Sequence, residues 1–404
     1  MTPVATARRY DIDALRIIAF GLLILYHCGM FYVAEWDWHV KSDYTSEWLQ
    51  EPMRFMNQWR MSLLFVISGL AISFVWGRYS AGRLALRRIW RLFLPLIFGM
   101  AVIVAPQPYY EALNQGIIEP GFLDFWWRYL TFQDFPGEAW GGENRVAWTW
   151  NHLWYLPYVL FYTLALLPVM AWLSGSGSGV RRRLCGLRGP WLMIVPILPL
   201  MLYGSFLFPR FPYISHALLD DWYAHAMYAT FFLYGFIIGR DSGVWAELAR
   251  LRWVTLGLAV LSFTIYLSRD LWVADDNTLL VDIASSASVY LNRWLWIMLV
   301  LGWGHHLVRG PLPGLGYATE AIFSWYILHQ TITVAAGYEL SKFELGPVLE
   351  PLLVVLITFA GCVIGYEYVI RRIPFLKPLF GVPMHRKRTE QVSGNTSDSA
   401  AGPR

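Results

Sequence analysis

Arg16 and His27 stand eleven residues apart in LRIIAFGLLILYHCGMFY, a run otherwise apolar enough to cross a membrane. An arginine at the centre of such a helix costs about 2.5–3.5 kcal/mol on insertion scales, so keeping both calls for a reason. In a helix turning about 100° per residue, this spacing falls about 20° beyond three whole turns. The two side chains therefore share one face, roughly 16 Å apart along the axis. Histidine can take a proton from a hydroxyl as that hydroxyl attacks a carbonyl. Arginine is a fixed cation suited to phosphate or carboxylate. A donor held by its phosphates near Arg16, with its carbonyl delivered to His27, would use such a stripe. A structural account also exists, with Arg16 snorkelling to an interface and His27 bonded to a neighbouring helix.

Other apolar runs hold further candidates. Arg60 opens RMSLLFVISGLAISF, as an anchor or as part of the same outer site, and Ser68-Gly69 in its middle suits close helix packing. Arg87, Arg88 and Arg91 lead into the next run in RRIWRLFLP, as charge anchors or as a phosphate site. His152 and Trp154 begin a run in NHLWYLP, and His329 lies midway along another in SWYILHQTI. An unpaired polar group there is costly, so an interhelical hydrogen bond is the structural alternative for His329.

These residues need helices to position them. The chain of 404 residues is 56% hydrophobic, 17% aromatic and only 15% charged, with a mean hydropathy of +0.41. Soluble domains carry about 25% charge, so an all-α polytopic membrane protein is expected. Apolar runs fall at 13–33, 59–77, 88–107, 152–173, 191–208, 225–240, 253–269, 290–308, 318–338 and 349–370, which predicts a bundle of about ten spans. That count puts 22 of the 32 Lys and Arg residues on the face holding the N-terminus and the tail, so both termini are expected to be cytoplasmic. Residues 1–382 form the expected transmembrane domain and 383–404 a disordered cytoplasmic tail. The first run lacks a cleavage site and reads as a retained helix rather than a signal peptide. SGSGSG at 174–179, followed by VRRR, reads as a flexible cytoplasmic loop.

Cys28, Cys185 and Cys362 form neither a disulfide framework nor a zinc spacing and read as buried thiols. His305 and His306 have no partner ligands at metal spacing and read as helix-end groups, so no metal is expected. The basic edges account for the charge of +4 without nucleic acid. Residues 34–57, 108–151 and 269–289 are expected outer loops rich in Trp, Asp and Glu, suited to sugar faces and hydroxyls or to interfacial packing.

Five segments together resemble the membrane-bound acyltransferase 3 family. They are the Arg16-to-His27 spacing, RMSLLFVISG with Arg60 before it, the Arg87, Arg88, Arg91 and Pro95 run, HLWYL from His152, and YILHQ ending in His329 and Gln330. The resemblance spans residues 10–375 and is nearest the branch with periplasmic glucan succinyltransferases. It implies a bundle of about ten helices in the bacterial inner membrane. The implied reaction is transfer of succinyl or acetyl from cytoplasmic acyl-CoA to a hydroxyl of an extracytoplasmic carbohydrate, with no permanently bound cofactor. The implied partners are the bilayer, the glycan and other glucan or polysaccharide synthesis proteins. By the same resemblance His27 is catalytic and Arg16 is required. Arg88 and Arg91 are candidates for CoA phosphates, and Arg60, His152, Trp154 and His329 for support of the site. An outer carboxylate such as Glu35 or Asp124 is expected to orient His27. With only a short tail after the last run, substrate recognition is expected from the spans and loops.

Two other classes share these features. Intramembrane His and Arg also mark transporter pathways, and a component that moves the acyl group across the membrane and hands it to a separate transferase would share them. The sequence leaves open the acyl group, the acceptor, the oligomeric state and any acyl-histidine intermediate.

Overall fold

The computed structural model describes residues 8–135, 148–268 and 279–383, and the regular elements among them are helical. The tail from 384 and parts of two expected outer loops, at 136–147 and 269–278, lie outside the described residues. α1 is Tyr10–Met30 and α2 is Gln50–Val75. α3, Ala81–Phe98, passes through a π-turn at Gly99–Ile103 toward α4, Pro106–Asn114, and α5 is Phe122–Thr131. Next come α6 (Tyr155–Ala165), α7 (Leu167–Ser174), α8 (Ser178–Cys185), α9 (Pro190–Ile194) and α10 (Leu198–Phe206). α11 is Trp222–Ile238, α12 is Ser242–Leu267 and α13 is Leu279–Leu307. α14 (Leu315–Leu340), α15 (Gly346–Ile364) and the short α16 (Leu376–Leu379) close the fold.

A helix overlies each of the ten apolar runs, but they differ as crossings. Among the described residues, five helical stretches are long and apolar enough to cross a membrane: α1, Glu47–Val75, Ala81–Asn114, α12 and Gly346–Ile370. The number reaches seven if each of two bent pairs is one crossing, with α6–α7 bent by 50° and α8 against Pro190–Phe206 by 115°. Pro190 fits the second break, since proline ends a helical ladder but is tolerated at its start, and Pro196 and Pro199 each open a further helical segment beyond it. The expected flexible loop after Ser174 is corrected from residue 178 onward, because VRRRLC is helical in α8. Its Cys185 is buried, and Arg181 donates to the Ile237 carbonyl of α11 at 3.1 Å.

α1 is central, packing on α2, α13, α14 and α15. Its first turn carries Asp11 and Asp13, which favour a helix N-terminus. Buried Asp11 takes a two-point contact from Arg9 at 2.6 and 2.8 Å and a 2.8 Å contact with His305 in the last turn of α13. This fastens the start of α1 to α13.

α2 and α11 approach closely at two reciprocal glycines. A Cβ on Gly69 would stand 1.9 Å from the Phe232 carbonyl oxygen, and one on Gly235 the same distance from that of Val66. Backbone cannot yield as a side chain does, so the helices would have to part. Gly69→Ala is therefore expected to destabilise the protein by about 1–3 kcal/mol or more. Thermal unfolding in detergent checks this, and a wild-type melting temperature would refute it.

Candidate active site

His27 in the last turn of α1 meets His329 in the middle of α14, with Nδ1 of His27 2.7 Å from Nε2 of His329. The ring centroids are 5.0 Å apart and the planes differ by 2°. That separation, with so short a contact, places the rings edge to edge in one plane, as a linear hydrogen bond requires. His329 is fully buried, and its Nδ1 lies 2.7 Å from the Tyr326 carbonyl oxygen. A carbonyl only accepts, so Nδ1 of His329 carries the proton. Neutral His329 then accepts at Nε2, and His27 donates from Nδ1. Neutral His27 is left with its lone pair on Nε2. The polar group that looked costly in mid-span is satisfied on both sides, and its satisfaction selects the tautomer of His27.

Unpaired donors surround this base. Trp38 lies against the His27 ring, with centroids 5.5 Å apart and planes 29° apart, and its indole N–H has no partner. Arg60 is 2% exposed, lies 3.8 Å over the Tyr26 ring, and is close enough to act electrostatically on His27 and His329. Its Nε and Nη1 are buried without acceptors. A buried cation missing its hydrogen bonds costs several kcal/mol, which an anion arriving at the site would offset.

Trp38 belongs to a segment that crosses over the site between α1 and α2. Lys41 fastens it by donating to the carbonyls of Met30, Val33 and Trp36, so its charge sits on the carbonyl end of α1. Ser42 donates to buried Glu350 of α15 at 2.6 Å. His39 lies 2.5 Å from Glu111 of α4. Gln330 Nε2 donates to Nε2 of His39 at 3.2 Å, so the His39 proton points to Glu111.

The network continues through Gln107. Its carbonyl oxygen accepts from Gln330 and Asn151, each at 3.0 Å, and its amide donates to Thr331 at 2.8 Å and to Nδ1 of His152 at 3.2 Å. His152 donates from Nε2 to the Ile327 carbonyl at 3.0 Å. The π-turn before Gln107 widens the helix and frees carbonyls to receive side chains. Tyr129 donates to Met100 at 3.0 Å, Trp126 to Ala101 at 2.7 Å, and Thr331 to Ile103.

The other end of the stripe is cationic. Arg16 contacts the Thr319 carbonyl at 3.4 Å and Asp13 at 3.6 Å, while its Nε is unpartnered. With Arg91 it lines a cavity of about 460 Å³, which also holds Asp13, Glu320 and Phe20. Arg88 lies within electrostatic range of Arg91, and Arg91 of Arg16. Three neighbouring guanidiniums attract an anion more readily than they stabilise one another.

The structure thus gathers His27, His329, Arg60 and His152 at one end and Arg16, Arg88 and Arg91 at the other. Trp154 stands apart from the first group, packing on His216, Tyr158, Tyr228 and Phe65. The expected carboxylate partner of His27 is corrected. His329 occupies Nδ1 of His27, while Asp124 pairs with Arg128 at 2.9 Å and Glu35 is exposed. Trp38, His39, Gln107 and Glu111 went unread in the sequence. The available signals were a lone histidine in EWDWHV and a glutamine inside VAPQPYY.

No solved structure matches the chain. It is 25% identical to glucans biosynthesis protein C of Salmonella agona and of Salmonella enteritidis PT4, across 98% of this chain and all of each relative. A family model described as an acyltransferase domain matches residues 9–367, which include both ends of the stripe and every histidine of the site. With its apolar helices, this is a membrane protein of the acyltransferase 3 family.

Proposed function

We propose that this chain is a ten-span bacterial inner-membrane O-acyltransferase with both termini cytoplasmic. It moves an acyl group, succinyl or acetyl, from acyl-CoA to a hydroxyl of an extracytoplasmic glucan. The names of its relatives support glucan as the acceptor class. One observation carries the reading: a histidine whose free lone pair is set by its partner stands beside buried N–H donors that lack acceptors.

CoA phosphates bind in the cavity of Arg16 and Arg91, with Arg88 beside it, and the thioester carbonyl reaches His27. Nε2 of His27 takes the proton of the acceptor hydroxyl as its oxygen bonds to the carbonyl carbon. Arg60 and the Trp38 indole N–H donate to the oxygen that becomes negative. As that intermediate collapses, the C–S bond breaks and the proton on His27 passes to the departing thiolate. Trp36 and Trp38 offer the acceptor sugar flat apolar faces.

Purified protein given acyl-CoA and a soluble glucan oligosaccharide is expected to add the acyl mass to the glycan. No mass change would end this reading, and transfer by the purified protein excludes a need for a second transferase. Arg91→Ala is expected to raise KM for the donor by about 10- to 150-fold with kcat near wild type, as loss of one charge-assisted phosphate contact of about 1.5–3 kcal/mol implies. An unchanged KM would move the donor away from this cavity.

A further inference from the structure

The cavity beside Arg16 does not run on to His27. It stops at Phe20, four residues along the same helix face, and the stripe continues through buried Leu23 to His27. From Phe20 to His27 is about 10 Å along the axis. Phe20 closes this gap together with two tyrosines. Its ring lies 5.2 Å from that of Tyr326 and 6.2 Å from that of Tyr155, and the tyrosine rings are 6.3 Å apart. Tyr155 is within electrostatic range of Arg16 and Arg88, whereas the Tyr326 carbonyl holds His329. The triangle of rings therefore separates the cationic cavity from the histidine pair.

The three rings are not equally free. The Tyr155 hydroxyl donates to the Leu64 carbonyl at 2.9 Å and contacts Ser68 Oγ at 2.6 Å. The Tyr326 hydroxyl donates to the His152 carbonyl at 2.8 Å. Phe20 has no polar tether and can turn without breaking a hydrogen bond. We infer that Phe20 is the moving member of an aromatic gate between the cationic cavity and His27, and that its bulk limits the size of acyl group that passes. This rests on the donor reading given above. Phe20 is a specificity-determining residue and takes no part in proton transfer.

The test compares succinyl-, acetyl-, butyryl- and hexanoyl-CoA as donors to a soluble glucan oligosaccharide, using purified full-length protein. An apolar passage discriminates single methylenes by roughly 10–200-fold, so the wild-type rate is expected to fall at least about tenfold from acetyl to hexanoyl. Phe20→Ala is expected to raise the hexanoyl-to-acetyl ratio by about tenfold or more, and Phe20→Trp to slow every donor. Titration with free CoA should give a similar Kd for wild type and Phe20→Ala, since the change removes part of the cavity wall but none of the Arg16 and Arg91 guanidiniums that would hold the phosphates; a merely structural defect would weaken it. Should Phe20→Ala not fold, Phe20→Leu is expected to move the ratio the same way by a smaller step. If the wild type transfers acyl groups and neither variant shifts the ratio, the gate is refuted while the proposed function stands. If the wild type transfers from no acyl-CoA, the proposed function fails and takes the gate with it.

Discussion

A His27→Ala protein is expected to fold, reach the membrane at the wild-type level, and transfer acyl groups about 10²–10⁴-fold more slowly, the range for loss of a positioned general base. The expectation follows from the lone pair on Nε2, which the His329 contact leaves free. A hydroxyl is a weak nucleophile until its proton has somewhere to go, and neither His329 nor His152 has a free ring nitrogen to offer. Nδ1 and Nε2 of His329 are both engaged, as are both ring nitrogens of His152. The measurement is single-turnover transfer from acyl-CoA, with thermal unfolding run in parallel. A folded variant with wild-type transfer would remove His27 from the chemistry. Loss of transfer together with loss of folding would point to a structural hydrogen bond instead.

His329→Ala is expected to be the second most damaging change, lowering kcat by about 10²–10³-fold with little effect on KM for the donor. His329 does not touch the reacting atoms. It holds the His27 ring in plane and keeps the His27 proton on Nδ1. Without it, His27 can rotate and can place the proton on the nitrogen that should act as base. The cavity proposed for the donor lies at the other end of α1, so its affinity should hold. This split separates a positioning role from general damage, which would raise KM and lower the melting temperature together. If kcat stays at the wild-type value, the His27–His329 contact does not set the base.

The Arg16–His27 stripe was legible in the sequence because helical periodicity is local: both residues lie on one unbroken helix. The close packing at Gly69 likewise followed from residue type and position along an apolar run, whereas Arg88 and Arg91 read as charge anchors or a phosphate site, and the structure sets them near Arg16. Crossings were harder to read where prolines interrupt helices. The loop expected after Ser174 became a helix because tertiary burial of Cys185 organised it.

Partnership across helices was not legible. His27 and His329 are 302 residues apart, and spacing alone does not reveal which faces of α1 and α14 meet. A carboxylate was therefore expected where a second imidazole stands, and His39, Gln107 and Glu111 escaped notice because their partners lie on other elements. The amino-acid sequence by itself determined the family, the helical character and the residues able to do acid–base and anion chemistry. Only the tertiary structure decided which nitrogen of His27 keeps a free lone pair, because the Tyr326 carbonyl sets the His329 proton and that proton sets the tautomer of His27.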